Sequence, residues 1–154
     1  MGEVVELSTT KLTDDDVKAM ATYLKDVSGP KPTADSSADA KVLTAGGAIY
    51  QDLCSACHKS DGTGVPHLIP DLTHAATVNT GDPTTVLRVI LQGAQSVATD
   101  REPTGPAMPS FGWQLNDEQV AAVASYVRNH WGKAPPVSQD DVRKERAALD
   151  ARTN

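Results

Sequence analysis

Large aromatic side chains are scarce here: one Phe, two Trp and three Tyr among 154 residues, 4% in all. A domain of this length ordinarily relies on several of them to fill its core. The bulk must come from packed Ala- and Leu-rich helices or from something other than side chains. Long apolar runs are missing too. None approaches the ~18 residues that a bilayer-spanning helix needs, so no transmembrane segment is expected. Basic residues are in the minority, 14 against 20 acidic, for a formal charge of -6. That balance excludes the basic face on which nucleic-acid binding depends. Alternating apolar and polar runs, the mark of a half-buried strand, do not occur either.

What remains is helical, and the length suits one domain with tails. Val42, Ala45, Gly46, Ile49 and Leu53 recur at helical spacing, which predicts a helix over 41–53. A second helix is expected with Asp82 as N-cap, Pro83 as its first residue, Val86, Val89 and Ile90 inward and Gly93 as C-cap. A third begins near Asn116 and turns Val120, Val123, Ala124, Val127 and Trp131 inward. Its early Asp117 and Glu118 and its late Arg128 suit the helix dipole. The fold class that follows is all-α.

The chain also echoes itself. Residues 12–29, LTDDDVKAMATYLKDVSG, repeat the pattern of 115–132, LNDEQVAAVASYVRNHWG. Leu12/Leu115, Asp14/Asp117, Val17/Val120, Ala19/Ala122, Ala21/Ala124, Tyr23/Tyr126 and Gly29/Gly132 are identical. Shared capping chemistry in two amphipathic helices is one explanation. The other is that 1–29 is the tail of a preceding, similar domain. Residues 30–40, PKPTADSSADA, have the composition of a linker. Residues 134–154 form a polar C-terminal extension, expected as a solvated helix without the apolar face that a membrane anchor needs.

The chemistry is concentrated in Cys54-Ser55-Ala56-Cys57-His58. Two thiols at this spacing add to the two vinyl groups on one edge of a haem, and the adjoining His then lies under the iron. Cys-x-x-Cys redox chemistry is one rival, but it belongs in a βαβ setting, which this pattern lacks. Structural zinc is the other, and it needs two further ligands at suitable spacing. A covalently attached porphyrin would also supply the bulk that the aromatics do not. Gly46 and Gly47 lie in the helix before the motif, with Tyr50 on the face of Gly46. They point either to a close helix crossing, with Val123 and Tyr126 opposite, or to a late helix start.

A ligating His needs its other ring nitrogen held by an acceptor. In Ile69-Pro70-Asp71-Leu72, the Pro70 carbonyl is the candidate, with Leu72 beside the ring, although Pro70 also reads as loop punctuation. For the sixth ligand the candidate is Met108 in GPAMPSF, a soft thioether between two prolines that stiffen its loop. Met1 is terminal and Met20 sits on an apolar helix face. His67, His74 and His130 are expected on the surface or in hydrogen bonds. Arg88 and Arg101 are either partners of haem propionates or solvated charges.

Over residues 41–133 the chain resembles a class I c-type cytochrome, through CSACH, IPDL, AMPSF and DEQVAAVASYVRNHWG. The resemblance implies one covalently bound haem c, with Cys54 and Cys57 as attachment points and His58 and Met108 as axial ligands. It also implies that Pro70 orients the His and that the first and last helices cross at the haem edge. More narrowly, GGAIYQDLCSACHKSDGTGVP and MPSFGWQLNDEQVAAVASYVRNHWG resemble the third haem domain of the cytochrome subunit of membrane-associated alcohol, aldehyde or gluconate dehydrogenases and molybdenum hydroxylases. That likeness implies electron transfer, not catalysis. A dehydrogenase module would be the donor, and quinone, an oxidase or another cytochrome the acceptor. The alternative is a haem enzyme or sensor with a labile sixth position, acting on peroxide or binding gas. Haem c is attached outside the cytoplasm, so a periplasmic location is expected. The start of the chain has no charged and apolar leader, so a processed chain is expected as well. The resembled subunits carry two further CxxCH sites and an apolar tail that this sequence lacks.

Overall fold

The computed structural model describes residues 2–27, 37–100 and 102–153. These fall into two compact units, one of residues 1–31 with 95–107, the other of residues 32–94 with 108–154. The linker expected at 30–40 lies largely outside the described residues, as does Arg101. No helix among the described residues is long and apolar enough to cross a membrane.

In the smaller unit, α1 (Gly2–Leu7) leads through a 3-10 turn to α2 (Asp14–Asp26). A reciprocal capping box starts α2: the Thr13 hydroxyl accepts from Asp16 N–H, and the Asp16 carboxylate accepts from Thr13 N–H. None of its residues is buried. The rest of this unit is the 95–107 loop, closed by Ser96 N–H donating to Pro106 O at 3.0 Å.

The larger unit holds α3 (Ala40–Leu53), α4 (Ser55–His58), α5 (Ala76–Asn79), α6 (Thr84–Gln92), α7 (Asp117–His130) and α8 (Gln139–Thr153). A two-residue ladder joins β1 (Ala94–Gln95) to β2 (Ala107–Met108) where the chain leaves this unit and returns to it. The main packing is α3 against α7, with α8 laid on α6 and α7. At the α3–α7 crossing, a Cβ on Gly46 would collide with the Ala122 carbonyl and the Tyr126 Cβ. Gly46 is therefore a point of backbone approach, not a late helix start. Tyr50, Tyr126 and Trp131 gather beside it, with the Tyr50 and Trp131 rings edge to face at 4.9 Å.

Several expectations shift. The inner face of α3 is Gly46 and Tyr50, while Val42 and Ala45 face solvent. On α6 the buried residues are Leu87, Ile90 and Leu91, with Val86 and Val89 only half-buried. Pro83 is the cap itself, yet the Asp82 carboxylate still accepts from Thr84 N–H at 2.9 Å.

The larger correction concerns the C-terminal extension, which is solvated on one face only. Val142 and Leu149 are buried, as are Ala134 and Val137 on the approach to α8. Ser138 opens this helix with a capping box to Asp141. The buried Arg128 side chain holds the approach down. Its Nε donates to Pro135 O at 3.1 Å, and its Nη2 donates to Thr80 O and Gly81 O at 2.9 and 3.2 Å. Arg88 is likewise no solvated charge. It pairs with Glu145 of α8, itself buried.

Candidate functional site

The Cys-x-x-Cys-His segment is the end of α3 and the whole of α4. Cys54 terminates α3 with its N–H donating to Tyr50 O. Its own carbonyl accepts from Cys57 N–H at 3.2 Å and His58 N–H at 2.9 Å. One helical turn thus holds both sulfurs and the imidazole in a fixed relation. Neither Cys54 nor Cys57 is in a disulfide. Burial pushes the Cys54 thiol up to about 11, with the neighbouring Cys57 adding to the shift. A strong thiolate nucleophile or redox dithiol requires the opposite shift. Among the described residues no group of three or more His, Cys, Asp and Glu side chains is placed to hold a metal ion.

After α4 the chain turns sharply back. Lys59 adopts φ 62°, and its carbonyl accepts from the Tyr50 hydroxyl at 2.6 Å. Gly64 N–H donates to His58 O at 3.1 Å, and Leu72 N–H to Gly62 O at 2.9 Å. These bonds bring Pro70 over the histidine, where His58 Nδ1 lies 3.3 Å from Pro70 O. A carbonyl only accepts, so Nδ1 carries the proton and Nε2 keeps its lone pair free. Burial lowers the His58 pKa, against a smaller opposing effect of the Pro70 hydrogen bond. Burial thus favours the neutral ring, the form that ligates a metal.

Gly64 is a part of the site that the motif reading passed over. Its φ is +62°, and a Cβ there would collide with the Ile69 and Pro70 carbonyls. Only glycine lets that carbonyl come so close. Gly62, at φ +75°, packs in the same way against the Trp131 ring. The available signal was two glycines in DGTG, three residues past the His.

Met108 is half-buried at the end of β2. Its carbonyl rests where Gly93 has no Cβ. The segment after it is tied to the C-terminal end of α6. Ser110 Oγ donates to Leu91 O at 2.6 Å, Phe111 N–H to Ile90 O at 2.9 Å and Gly112 N–H to Leu91 O at 3.2 Å. Cys54, Leu72 and Met108 all border the same apolar cluster, so the thiol turn, the loop beyond Pro70 and the Met loop converge on one core. The other histidines are engaged elsewhere. His74 Nδ1 lies 2.9 Å from Asp71, His130 stacks on Tyr126 at 4.8 Å, and His67 sits in the left-handed region at φ 63°.

A neutral imidazole with a free Nε2, two unoxidised thiols on the preceding turn and a soft thioether on the same core form a donor set that suits haem c. The fold and site thus define a small helical haem-carrying domain of the c type. The chain belongs to the cytochrome c family, whose pattern, described as "Cytochrome c", matches residues 43–131. As such it is all-α, carries covalently bound haem c and serves electron transfer.

Among its relatives is the gluconate 2-dehydrogenase cytochrome c subunit of Pantoea cypripedii, 37% identical over 144 residues. That match takes in 86% of this chain and 32% of the relative. The alcohol dehydrogenase (quinone) cytochrome c subunit of Gluconobacter oxydans is 35% identical over 158 residues, covering 95% of this chain and 33% of its own. Cytochrome c-552 of Thermus thermophilus is 32% identical over 112 residues, 66% of this chain and 84% of that protein. The chain spans about a third of the length of the dehydrogenase subunits it matches.

Proposed function

We propose that the chain is a single-haem electron carrier of a periplasmic dehydrogenase system. Cys54 and Cys57 hold the haem through thioether bonds, and His58 and Met108 are the axial ligands. The observation that carries this reading is the His58 Nδ1–Pro70 O contact at 3.3 Å, which leaves Nε2 as the donor nitrogen at the end of the Cys54–Cys57 turn. The bound haem supplies a one-electron iron couple. The protein contributes a shell that need not rearrange. Pro70 fixes the His58 tautomer, and Pro106 and Pro109 stiffen the loop that carries Met108. The bonds of Ser110, Phe111 and Gly112 to α6 hold that loop in place.

The relatives named for gluconate, alcohol and fructose dehydrogenases favour a dehydrogenase as electron donor. Quinone, an oxidase or another cytochrome is the acceptor. Residues 1–29 read as the closing helix of a preceding cytochrome unit. In support, α2 and α7 begin with the same reciprocal capping box and share the pattern of the echo. The positions that α7 buries at Val120, Val123 and Ala124 correspond to exposed Val17, Met20 and Ala21.

Absorption spectra of the oxidised and reduced holoprotein test the ligation. A weak far-red sulfur-to-iron band with a sharp reduced α-band is expected. High-spin haem, or low-spin haem without the sulfur band, would remove Met108 from the iron and revive the ligand-binding alternative.

A further inference from the structure

The C-terminal helix reaches the ligand loop through one side chain. Arg146 Nε donates to Asp117 Oδ1 at 2.7 Å and Nη1 to Gly112 O at 2.7 Å, while Nη2 donates to Leu115 O. Gly112 and Leu115 belong to the short segment between Met108 and α7, and Asp117 is the first residue of α7. A single planar fork therefore spans both ends of the turn that follows the ligand loop. It is aimed from a fixed base, because Val142 and Leu149 bury α8 on either side of it. The adjacent Glu145 pairs with Arg88 on α6, the helix whose last carbonyls already hold Ser110, Phe111 and Gly112. The ligand loop is thus gripped from two helices. Of the two, α8 lies beyond the stretch matched by the cytochrome c family pattern, which ends at residue 131.

We propose that Arg146 is a positioning residue, through which α8 clamps the Met108 loop and sets how readily the thioether leaves the iron. This rests on the His58/Met108 ligation read above. For an exogenous ligand to replace the sulfur, the loop must swing outward. With Arg146 in place, that motion strips donors from the Gly112 and Leu115 carbonyls and separates the guanidinium from Asp117. Without Arg146 those contacts do not resist it. The fork geometry matters as well as the charge, so lysine should substitute only in part.

Imidazole titration of the ferric holoprotein, followed by loss of the far-red band, reads the clamp directly. Arg146→Met is expected to tighten apparent imidazole binding about tenfold, equivalent to about 1.4 kcal/mol. The band should also melt ahead of the helical circular dichroism. Arg146→Lys should tighten binding about threefold, and it serves as the test if the Met variant yields no holoprotein. Glu145→Gln perturbs α8 without touching the loop and should stay within twofold of the unmodified protein. Unchanged imidazole affinity in the Arg146 variants overturns the clamp. So does an equal effect in Glu145→Gln, which would mean that undocking of α8 alone is responsible. A missing far-red band in the unmodified protein is a different failure, that of Met108 ligation itself.

Discussion

Gly46 and Gly47 are neighbours in one helix, yet substituting them should have unequal consequences. On propensity alone each Gly→Ala change stabilises an interior helical position by about 1 kcal/mol. At Gly46 the new methyl would press into the Ala122 carbonyl and the Cβ of Tyr126, both fixed on α7. Neither can move unless α3 and α7 separate, and that crossing is the principal packing contact of the larger unit. Overpacking of this kind costs about 1–3 kcal/mol, and the immobile backbone puts this site at the upper end. A net loss of about 2 kcal/mol is expected for Gly46→Ala once the propensity gain is deducted. At Gly47 the methyl meets only the edge of the Tyr126 ring, 3.0 Å from Cε2, and a ring can tilt. Gly47→Ala should therefore fall within about 1 kcal/mol of the parent. Urea unfolding of both holoproteins, followed by far-UV circular dichroism, measures the difference. If Gly46→Ala is as stable as Gly47→Ala, the close crossing is not what requires glycine there, and the argument fails.

Gly64→Ala places a methyl on a residue at φ +62° and against the Pro70 carbonyl. It should cost about 1–3 kcal/mol, whereas Gly81→Ala, where a methyl meets nothing within 4 Å, should be near neutral in the same unfolding assay. Arg128→Met removes a guanidinium whose Nε and Nη2 serve the carbonyls of Pro135, Thr80 and Gly81. A loss of about 2 kcal/mol is expected for stranding these acceptors, together with faster hydrogen exchange in the approach to α8. Asp141 is held below the usual carboxylate pKa, first by the Ser138 hydroxyl and then by the Ser138 N–H. A lowered folded pKa means that the cap contributes fully above the unfolded value and is lost as pH falls through the lowered one. Asp141→Asn should therefore weaken α8 at neutral pH, and the gap from the parent should close in strong acid; a gap that persists there would refute this reading of the cap.

Much of the fold was legible because it is written in local chemistry. The start of α7 near Asn116, the C-cap glycine at 93 and the apolar face of α7 all lie within a turn or two of the residues they specify. The Cys54–His58 turn was legible for the same reason. The inner face of α6 was misread by one residue, because Val86, Leu87, Val89, Ile90 and Leu91 leave few polar positions to mark the outer side. The docking of α8 was missed on different grounds. Its buried residues among those described are Val142, Glu145 and Leu149, too few apolar positions to form a stripe, and its other anchors are the arginines 88, 128 and 146. Charged side chains in a sequence look like solvated surface until their acceptors are seen, and here those are carbonyls and carboxylates up to 57 residues away. Gly64 escaped for a related reason. Its partner is a carbonyl, which leaves no trace in side-chain pattern.

The two echoing helices make the general point about what burial requires. Thr13 and Asn116 begin them with the same reciprocal hydrogen bonds, and both run for nearly the same length, 13 and 14 residues. Their intrinsic tendency to form helix is therefore comparable. Burial nevertheless differs at matched positions. Val120 is 0% exposed where Val17 is 45% exposed, and Val123 is 2% where Met20 is 46%. What α7 has is α3, whose Gly46 allows backbone contact and whose Tyr50 fills the space beside it. An apolar face of this kind is stable in water only at a cost of roughly 25 cal/mol for each Å² left uncovered. The same sequence pattern thus accompanies a buried face in α7 and an exposed one in α2, and what buries it in α7 is a glycine-bearing partner helix.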